Sequence, residues 1–325
     1  MLIINNVANV SKILFDKLKE INNNIEFIQP ITSVQSTNKL YILFSRLTFI
    51  FILYKKAKKH KLFHIHYAFF GIYGILLNKE YILHCHGTDL RNNMFNKYKL
   101  LTYLSLKYAK VILYATPDLK QYIPDEFKSK SYFLPNPILT DTFKPILSNI
   151  TNKKEVFFIS KMDKTKGIEK FQKIIDYLES NDKISKITLF NYGNEKIDYM
   201  FYGTKIDYLN KILYSEMPKI ISNYDIIIGQ LELGAIGMSE LEALSSGKCV
   251  VSYFKYEKFY PTSIPIINSN NVDYIIKELD KCLNNYSLIE DYGSMGRKWI
   301  VNNHNVDNIT SKFIDILKIN KLSLS

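Results

Sequence analysis

The stretch of sequence best suited to hold a ligand is 225–254. A short apolar run leads into a loop that contains three glycines, Gly229, Gly234 and Gly237. Glycines let a backbone approach a ligand closely, and a helix that follows such a loop offers free N–H groups and a positive dipole end to a phosphate or sugar oxygen. Glu240 and Glu242 fall in the first turn of that predicted helix. The stretch therefore predicts either a ligand-binding loop or a well-capped helix start.

A second polar loop follows a predicted strand at 156–159. It holds three lysines within six residues, Lys161, Lys164 and Lys166. As point charges these could neutralise a diphosphate leaving group, and a solvated loop is the alternative.

A third polar loop follows a predicted strand at 81–85 and contains His86 and Asp89. In open α/β sheets, ligands bind at the carboxyl ends of parallel strands. An imidazole can donate a hydrogen bond to a sugar hydroxyl or phosphate and accept one, so His86 is a candidate site residue. Three other histidines are interpreted as structural: His64, His66 and His84.

The elements that must position these loops alternate along the chain. Around the first loop, the pattern predicts a strand at 226–228, a helix capped near Ser239 and stopped at Gly247, and a strand at 249–254. Strand–helix alternation of this kind predicts parallel α/β sheets. At 325 residues and 47% hydrophobic content, the chain is long enough for two domains with a core each.

The loops resemble those of glycosyltransferase family 4, retaining enzymes of the GT-B fold. Glu242-Ala243-Leu244 matches the second Glu of the family's motif, which binds the ribose hydroxyls of the donor. As a carboxylate in the first turn of a helix, Glu242 is expected to be exposed rather than packed. The first motif Glu, which contacts the donor sugar, falls on Gly234. Because Glu232 keeps the same spacing to Glu240, a slipped motif and a lost carboxylate both stay open. The resemblance implies two Rossmann-like domains that face each other across a cleft, with a C-terminal helix that crosses back.

The resemblance also assigns roles within the predicted site. His86-Gly-Thr-Asp is similar to the loop whose His faces the donor sugar, and 161–166 is similar to the family's diphosphate loop. The implied catalytic residues are His86, Lys161, Lys166, Glu232 and Glu240. The implied donor-binding residues are Gly237, Met238, Ser239, Glu242, Lys211, Gly193 and Asp89. No metal and no cofactor beyond a nucleoside diphosphate sugar is implied.

The domain boundary is predicted in a proline-rich, polar stretch at 135–153, which resembles the junction between the two family domains. We expect an acceptor-side domain at 1–150 and a nucleotide-sugar-binding domain at 151–325. The last helix, about 306–325, is expected to pack back on the first domain.

Charge is concentrated in the first half of the chain. Residues 1–150 hold 20 Lys and Arg against 9 Asp and Glu, whereas the net charge of the whole chain is +12. The densest basic segment, 55–61, follows an apolar run at 40–54 that is too short to span a bilayer. This arrangement predicts either reversible contact with an anionic membrane or a buried helix with a solvated end.

Composition also excludes several classes of protein. Three widely spaced cysteines give neither a disulfide framework nor a paired zinc motif, and the N-terminus lacks the pattern of a signal peptide, so a cytoplasmic protein is expected. The lysines are not interleaved with aromatic residues as in a nucleic-acid-binding module. The sequence thus predicts retaining transfer of a sugar to an acceptor saccharide or lipid-linked acceptor, in polysaccharide, glycolipid or glycoconjugate synthesis. The alternative is a pseudo-enzyme that binds a sugar nucleotide without turnover.

Overall fold

The computed structural model describes residues 1–30, 39–146, 153–193 and 200–324. Its contacts divide the chain into two compact units. The first unit comprises Met1–Pro137 and Val306–Ser325, and the second unit comprises Ile138–Asn305. The division therefore lies at 137/138 rather than at the expected 150/151. Phe143, which belongs to the expected linker, is fully buried in the core of the second unit.

The first unit contains a six-stranded sheet among the described residues, with strand order β2-β1-β3-β4-β5-β6 and every pair parallel. Its strands are β1 (Leu2–Ile4), β2 (Glu26–Ile28), β3 (Leu62–His66), β4 (Glu80–Cys85), β5 (Val111–Tyr114) and β6 (Ser131–Phe133). Its helices, in chain order, are α1 (Val10–Ile21), α2 (Lys39–Ala57), α3 (Ile72–Leu76), α4 (Thr88–Arg91) and α5 (Lys99–Tyr108).

The second unit contains another six-stranded parallel sheet in its described part, with order β12-β11-β10-β7-β8-β9. Its strands are β7 (Lys154–Phe158), β8 (Ile184–Phe190), β9 (Ile206–Leu209), β10 (Ile226–Ile228), β11 (Cys249–Ser252) and β12 (Ile267–Asn268). Its helices are α6 (Ile168–Ser180), α7 (Met217–Ser222), α8 (Met238–Ser245), α9 (Val272–Asn284) and α10 (Ser287–His304). The last helix, α11 (Val306–Ile319), belongs to the first unit.

Each sheet is covered by helices whose apolar residues recur at helical spacing. In α6 the buried side chains are those of Ile168, Phe171, Ile174, Ile175 and Leu178. This i, i+3, i+7 pattern places one apolar stripe on the sheet and leaves the polar residues in solvent. The strands β1, β5 and β10 are short, continuously apolar and buried, as is typical of parallel sheets covered on both faces.

The predicted α/β alternation is confirmed, and two details of the prediction are wrong. The short strands β9 and β12 were not expected, because neither has a distinctive apolar pattern. The N-cap of α8 is Gly237 rather than Ser239, and it provides no side-chain hydrogen bond. None of the helices in the described ranges is long and apolar enough to cross a membrane.

Candidate functional site

Three loops meet at the carboxyl edge of the second unit's sheet. They follow β10, β7 and β8, which are neighbours in that sheet. The backbone N–H of Leu231 donates to the carbonyl of Lys166 over 2.9 Å, and the N–H of Met162 donates to the carbonyl of Tyr192 over 3.1 Å. The glycine-containing loop, the lysine-containing loop and the segment at 191–193 therefore form one continuous surface.

Gln230 organises the glycine-containing loop from its interior. Its side chain is fully buried and its amide nitrogen donates to the carbonyls of Ala235 and Tyr253, each over 2.6 Å. Its amide oxygen accepts from the N–H groups of Glu232 (3.2 Å) and Leu233 (2.8 Å). Gln230 was not among the residues predicted from the sequence. The available signal was a lone amide directly after an apolar strand, which must find partners when buried.

Glu240 folds back from the first turn of α8 onto the same loop. Its side chain is buried, and Oε1 accepts from the N–H of Gln230 over 3.0 Å. A Cβ atom at Gly229 would lie 2.4 Å from the Glu240 side chain, and a Cβ atom at Gly237 would lie 2.7 Å from it. The two glycines thus make room for this carboxylate, and Glu240 shapes the loop.

Glu232 and Gly234 take different positions in the loop. The Glu232 side chain is about half exposed and pairs with Lys170 of α6 over 2.6 Å. Gly234 has a φ of +68°, and a Cβ there would meet the Lys255 side chain at 2.9 Å. A glutamate at 234 would require both a strained backbone and displacement of Lys255. Two hypotheses therefore remain: either Glu232 takes the place of the first motif glutamate, or that carboxylate is lost. In this structure the Glu232 side chain is directed toward α6.

Glu242 is buried, with 3% of its surface exposed, although we expected a first-turn carboxylate open to solvent. The expectation was wrong because α8 is short and enclosed, with all its residues from Glu240 to Ser245 buried. Burial raises the pKa of Glu242 to about 8, an effect that the nearby Tyr214 hydroxyl opposes and Glu240 reinforces. Tyr214 lies beside the carboxyl without a hydrogen bond of regular geometry. At neutral pH this group is mainly a protonated carboxylic acid that can donate a hydrogen bond.

The remaining predicted residues of the second unit lie around the same edge or beyond it. Gly237, Met238 and Ser239 are partly exposed at the start of α8, where the first N–H groups of a helix have no intrahelical partner. Lys161 is half exposed and 3.7 Å from Asp163, and Lys166 is partly buried. Gly193 has a φ of +146° and packs against the backbone of Met162, whereas Lys211 is exposed after β9.

In the first unit, the loop after β4 is ordered by Asp89. This carboxylate is fully buried and accepts from the N–H groups of Ala68 (3.1 Å), His86 (3.1 Å) and Gly87 (2.7 Å). Its backbone contacts show a loop-shaping role, and its predicted contact with a donor stays a prediction. Arg91 joins this loop to the next one through two hydrogen bonds to Asp118, at 2.6 and 3.0 Å.

His86 is partly exposed at the end of β4, next to a row of buried histidines. Its Nε2 lies 2.8 Å from Nδ1 of His66. Burial lowers the pKa of His86 to about 3, so the ring is neutral at physiological pH. Because Nε2 of His86 contacts His66, Nδ1 is the ring nitrogen that can form a hydrogen bond with a ligand.

Comparisons with known proteins extend the description of the fold. No protein-family model and no curated protein matches the sequence. Among solved structures, sucrose-phosphate synthase from Thermosynechococcus elongatus matches with a TM-score of 0.74 at 11% identity, over 98% of both chains. Anabaena HepE in complex with UDP and glucose matches with a TM-score of 0.76 at 12% identity, over 98% of this chain and 99% of that one.

A glycosyltransferase from Rickettsia africae is a third structural match, with a TM-score of 0.70 at 15% identity over 98% of both chains. Identities this low show the fold alone. The fold is GT-B, with two units that each contain a parallel Rossmann-like sheet, as expected. Membership of glycosyltransferase family 4 stays a prediction.

Proposed function

We propose that this chain is a retaining glycosyltransferase that moves a sugar from a nucleoside diphosphate sugar to an acceptor hydroxyl, in polysaccharide, glycolipid or glycoconjugate synthesis. The observation that carries the proposal is the surface of three joined loops in the second unit. It combines Lys161, Lys166 and the start of α8 at the carboxyl edge of a parallel sheet. HepE, which has a similar fold, was solved with UDP and glucose.

The proposed mechanism relies on charge stabilisation at the departing diphosphate. Lys161, Lys166 and the N–H groups at the start of α8 would oppose the negative charge that develops there, which is commonly the largest catalytic contribution. The diphosphate, leaving on the face that the acceptor attacks, would act as base, and no metal is required. Glu242 would bond the ribose hydroxyls, and the neutral ring of His86 would bond the donor sugar.

The test is a thermal-shift screen with uridine, guanosine and adenosine diphosphate sugars. Selective binding raises the apparent stability by mass action, by about 2.7 kcal/mol at a ligand concentration 100 times Kd. We expect one nucleotide class to raise Tm. Lys161→Gln and Lys166→Gln should weaken that shift, whereas Lys173→Gln, an exposed lysine on α6, should not. Stabilisation by none of the donors would contradict the proposal.

The alternative function is binding of a sugar nucleotide without turnover. It is favoured by the conformation at Gly234, which disfavours a carboxylate, and by the pairing of Glu232 with Lys170. Donor hydrolysis in the presence of the nucleotide that stabilises the protein separates the two functions. Binding with no hydrolysis and no transfer would leave only the alternative.

We further propose that α2 contacts an anionic membrane on its cytoplasmic side, where a lipid-linked acceptor would lie. One face of α2 packs inward through Phe49, Leu53 and Ala57. The opposite face exposes an apolar stripe at i, i+3, i+7 and i+10, formed by Phe44 (70% exposed), Leu47 (57%), Phe51 (58%) and Tyr54 (50%). A buried core helix would not expose such a stripe.

Basic residues extend this stripe at the C-terminal end of α2. The Lys55 ammonium lies 4.4 Å from the Phe51 ring centroid, and that of Lys58 lies 4.9 Å from the Tyr54 centroid. Lys56 differs, because it pairs with Glu26 of β2. An apolar stripe bordered by exposed lysines suits insertion of the aromatic rings at the level of anionic headgroups.

A further inference from the structure

Four of the six histidines lie together in the first unit. His64 and His66 point to the same face of β3, and His84 is the register partner of His66 on β4. Their ring centroids are 4.2 Å apart for His64 and His66, 4.8 Å for His66 and His84, and 5.5 Å for His64 and His84. All three side chains are fully buried, and Phe313 of α11 stacks on His64 at 4.9 Å.

The nitrogen atoms of these three rings are almost all without a partner. Only Nδ1 of His66 has one, at Nε2 of His86. The other five ring nitrogens of His64, His66 and His84 are buried and accept or donate no hydrogen bond within the described residues. Buried polar groups in native proteins are nearly always satisfied, so five orphaned nitrogens at one place need a ligand or an explanation.

The chemistry of the cluster suits a metal ion. Each of the three rings has at least one buried nitrogen without a hydrogen-bond partner among the described residues, and imidazole nitrogen is a common metal ligand. One nitrogen from each ring can be chosen so that all lie within 4.8 Å of one another. Zinc–imidazole bonds of about 2.0–2.1 Å place two tetrahedral ligand atoms roughly 3.3 Å apart.

We propose that His64, His66 and His84 bind one divalent transition-metal ion of the zinc class. Imidazole is a preferred ligand of Zn²⁺, Co²⁺, Ni²⁺ and Cu²⁺, and the absence of a carboxylate in the cluster disfavours Ca²⁺ and Mg²⁺. The rings of His64 and His84 are nearly parallel, at 9°, so binding requires at least one of them to turn toward the others. The movement is confined to side chains because His66 and His84 already face each other across paired strands.

This ion would be structural and would take no part in sugar transfer. It would join β3 to β4 beneath α11. It would also determine which nitrogen of His66 carries the proton next to His86. Coordination through Nε2 of His66 leaves the proton on Nδ1, which then donates to Nε2 of His86. His64, His66 and His84 would then be structural residues, as the sequence predicts. Metal binding would explain why three histidines lie together.

The test uses the full chain, treated with a chelator and then titrated with Co²⁺ or Zn²⁺. After gel filtration, elemental analysis should find one ion per chain, and bound Co²⁺ should give a visible absorption spectrum typical of nitrogen ligands. His84→Gln should weaken binding by more than about 100-fold, since losing even an outer-shell partner costs 10–100-fold. His60→Gln is the matched control, because His60 is buried beside Glu26 and outside the cluster.

Two results would overturn the proposal. One is failure of the wild-type chain to retain either ion, and the other is equal retention by wild type and a folded His84→Gln variant. Should His84→Gln fail to fold, the Co²⁺ spectrum and stoichiometry of the wild type decide the matter alone. All these readouts are independent of donor binding and turnover.

Discussion

At the scale of single residues, the loop after β10 depends on Gln230. Gln230→Ala would leave four backbone groups, two donors and two acceptors, without their partner. Each buried unsatisfied group costs about 1–3 kcal/mol, so we expect a loss of more than about 2 kcal/mol in the free energy of unfolding, and loss of the donor-induced thermal shift. Urea titration measures the first effect. Gln172→Ala, on the exposed side of α6, should change stability by less than about 0.5 kcal/mol.

Glu242 should make stability depend on pH. Its pKa is raised from 4.5 to about 8 in the folded chain, so between these values the folded state holds a proton that the unfolded state has lost. The free energy of unfolding therefore falls as pH rises through this window, by about 1.4 kcal/mol per pH unit for this group. Glu242→Gln should remove that slope and gain stability relative to wild type from pH 5 to pH 8. The exposed Glu290→Gln should leave the slope unchanged, and a wild-type slope shared by Glu242→Gln would contradict the assignment.

The two remaining loop carboxylates should respond differently to substitution. Glu240→Gln exchanges the carboxyl acceptor of the buried Gln230 N–H for an amide and buries an NH2 group in the loop, whereas Glu232→Gln removes one surface ion pair with Lys170. We expect the first change to cost about 1.5–3 kcal/mol of stability and the second less than about 1 kcal/mol. If Glu232→Gln nevertheless reduces turnover more than Glu240→Gln, the slipped motif is the correct one.

At the scale of elements, α2 carries the proposed membrane contact. Wild type should sediment with anionic vesicles and be released by salt, because the Debye length falls from about 10 Å at 0.1 M to about 3 Å at 1 M. Each basic residue near such a surface contributes about 1 kcal/mol, so removing four should weaken binding roughly 100-fold or more. The variant replaces by Gln the exposed lysines Lys55, Lys58, Lys59 and Lys61.

A matched control tests whether position or total charge matters. It removes the same charge from the second unit by replacing with Gln the exposed lysines Lys173, Lys258, Lys277 and Lys281. This variant should bind vesicles as wild type does. The membrane proposal is contradicted if wild type does not bind vesicles, if all three proteins bind equally, or if binding does not change with salt. The acceptor would then be a soluble molecule.

At the scale of the whole molecule, the chain returns to the first unit after completing the second. Phe313 of α11 is fully buried in the core built on β1, β3, β4 and β5. Phe313→Ala should lower the free energy of unfolding of the first unit by about 3–5 kcal/mol. Ile319→Ala, at an exposed position of the same helix, should cost less than about 0.5 kcal/mol. Equal effects in denaturant titration would contradict the assignment of α11 to this core.

The sequence alone determined the alternation of strands and helices, because apolar periodicity and glycine breaks are local properties of the chain. The last helix, predicted from about residue 306, begins at Val306. The candidate loops after β4, β7 and β10 were also found, since polar residues directly after an apolar strand lie at a predictable edge of a parallel sheet.

Tertiary structure decided what each polar side chain in those loops does. Glu240, Glu242 and Asp89 are similar carboxylates near helix starts, yet all three are buried, and two of them bond the backbone of their own loops. The grouping of His64, His66 and His84 depends on the register of β3 with β4, which pairs residues 18 positions apart. Whether a side chain is buried, and which groups it bonds, depends on contacts between segments that are distant in the chain. A sequence pattern shows only which residues are available for such contacts.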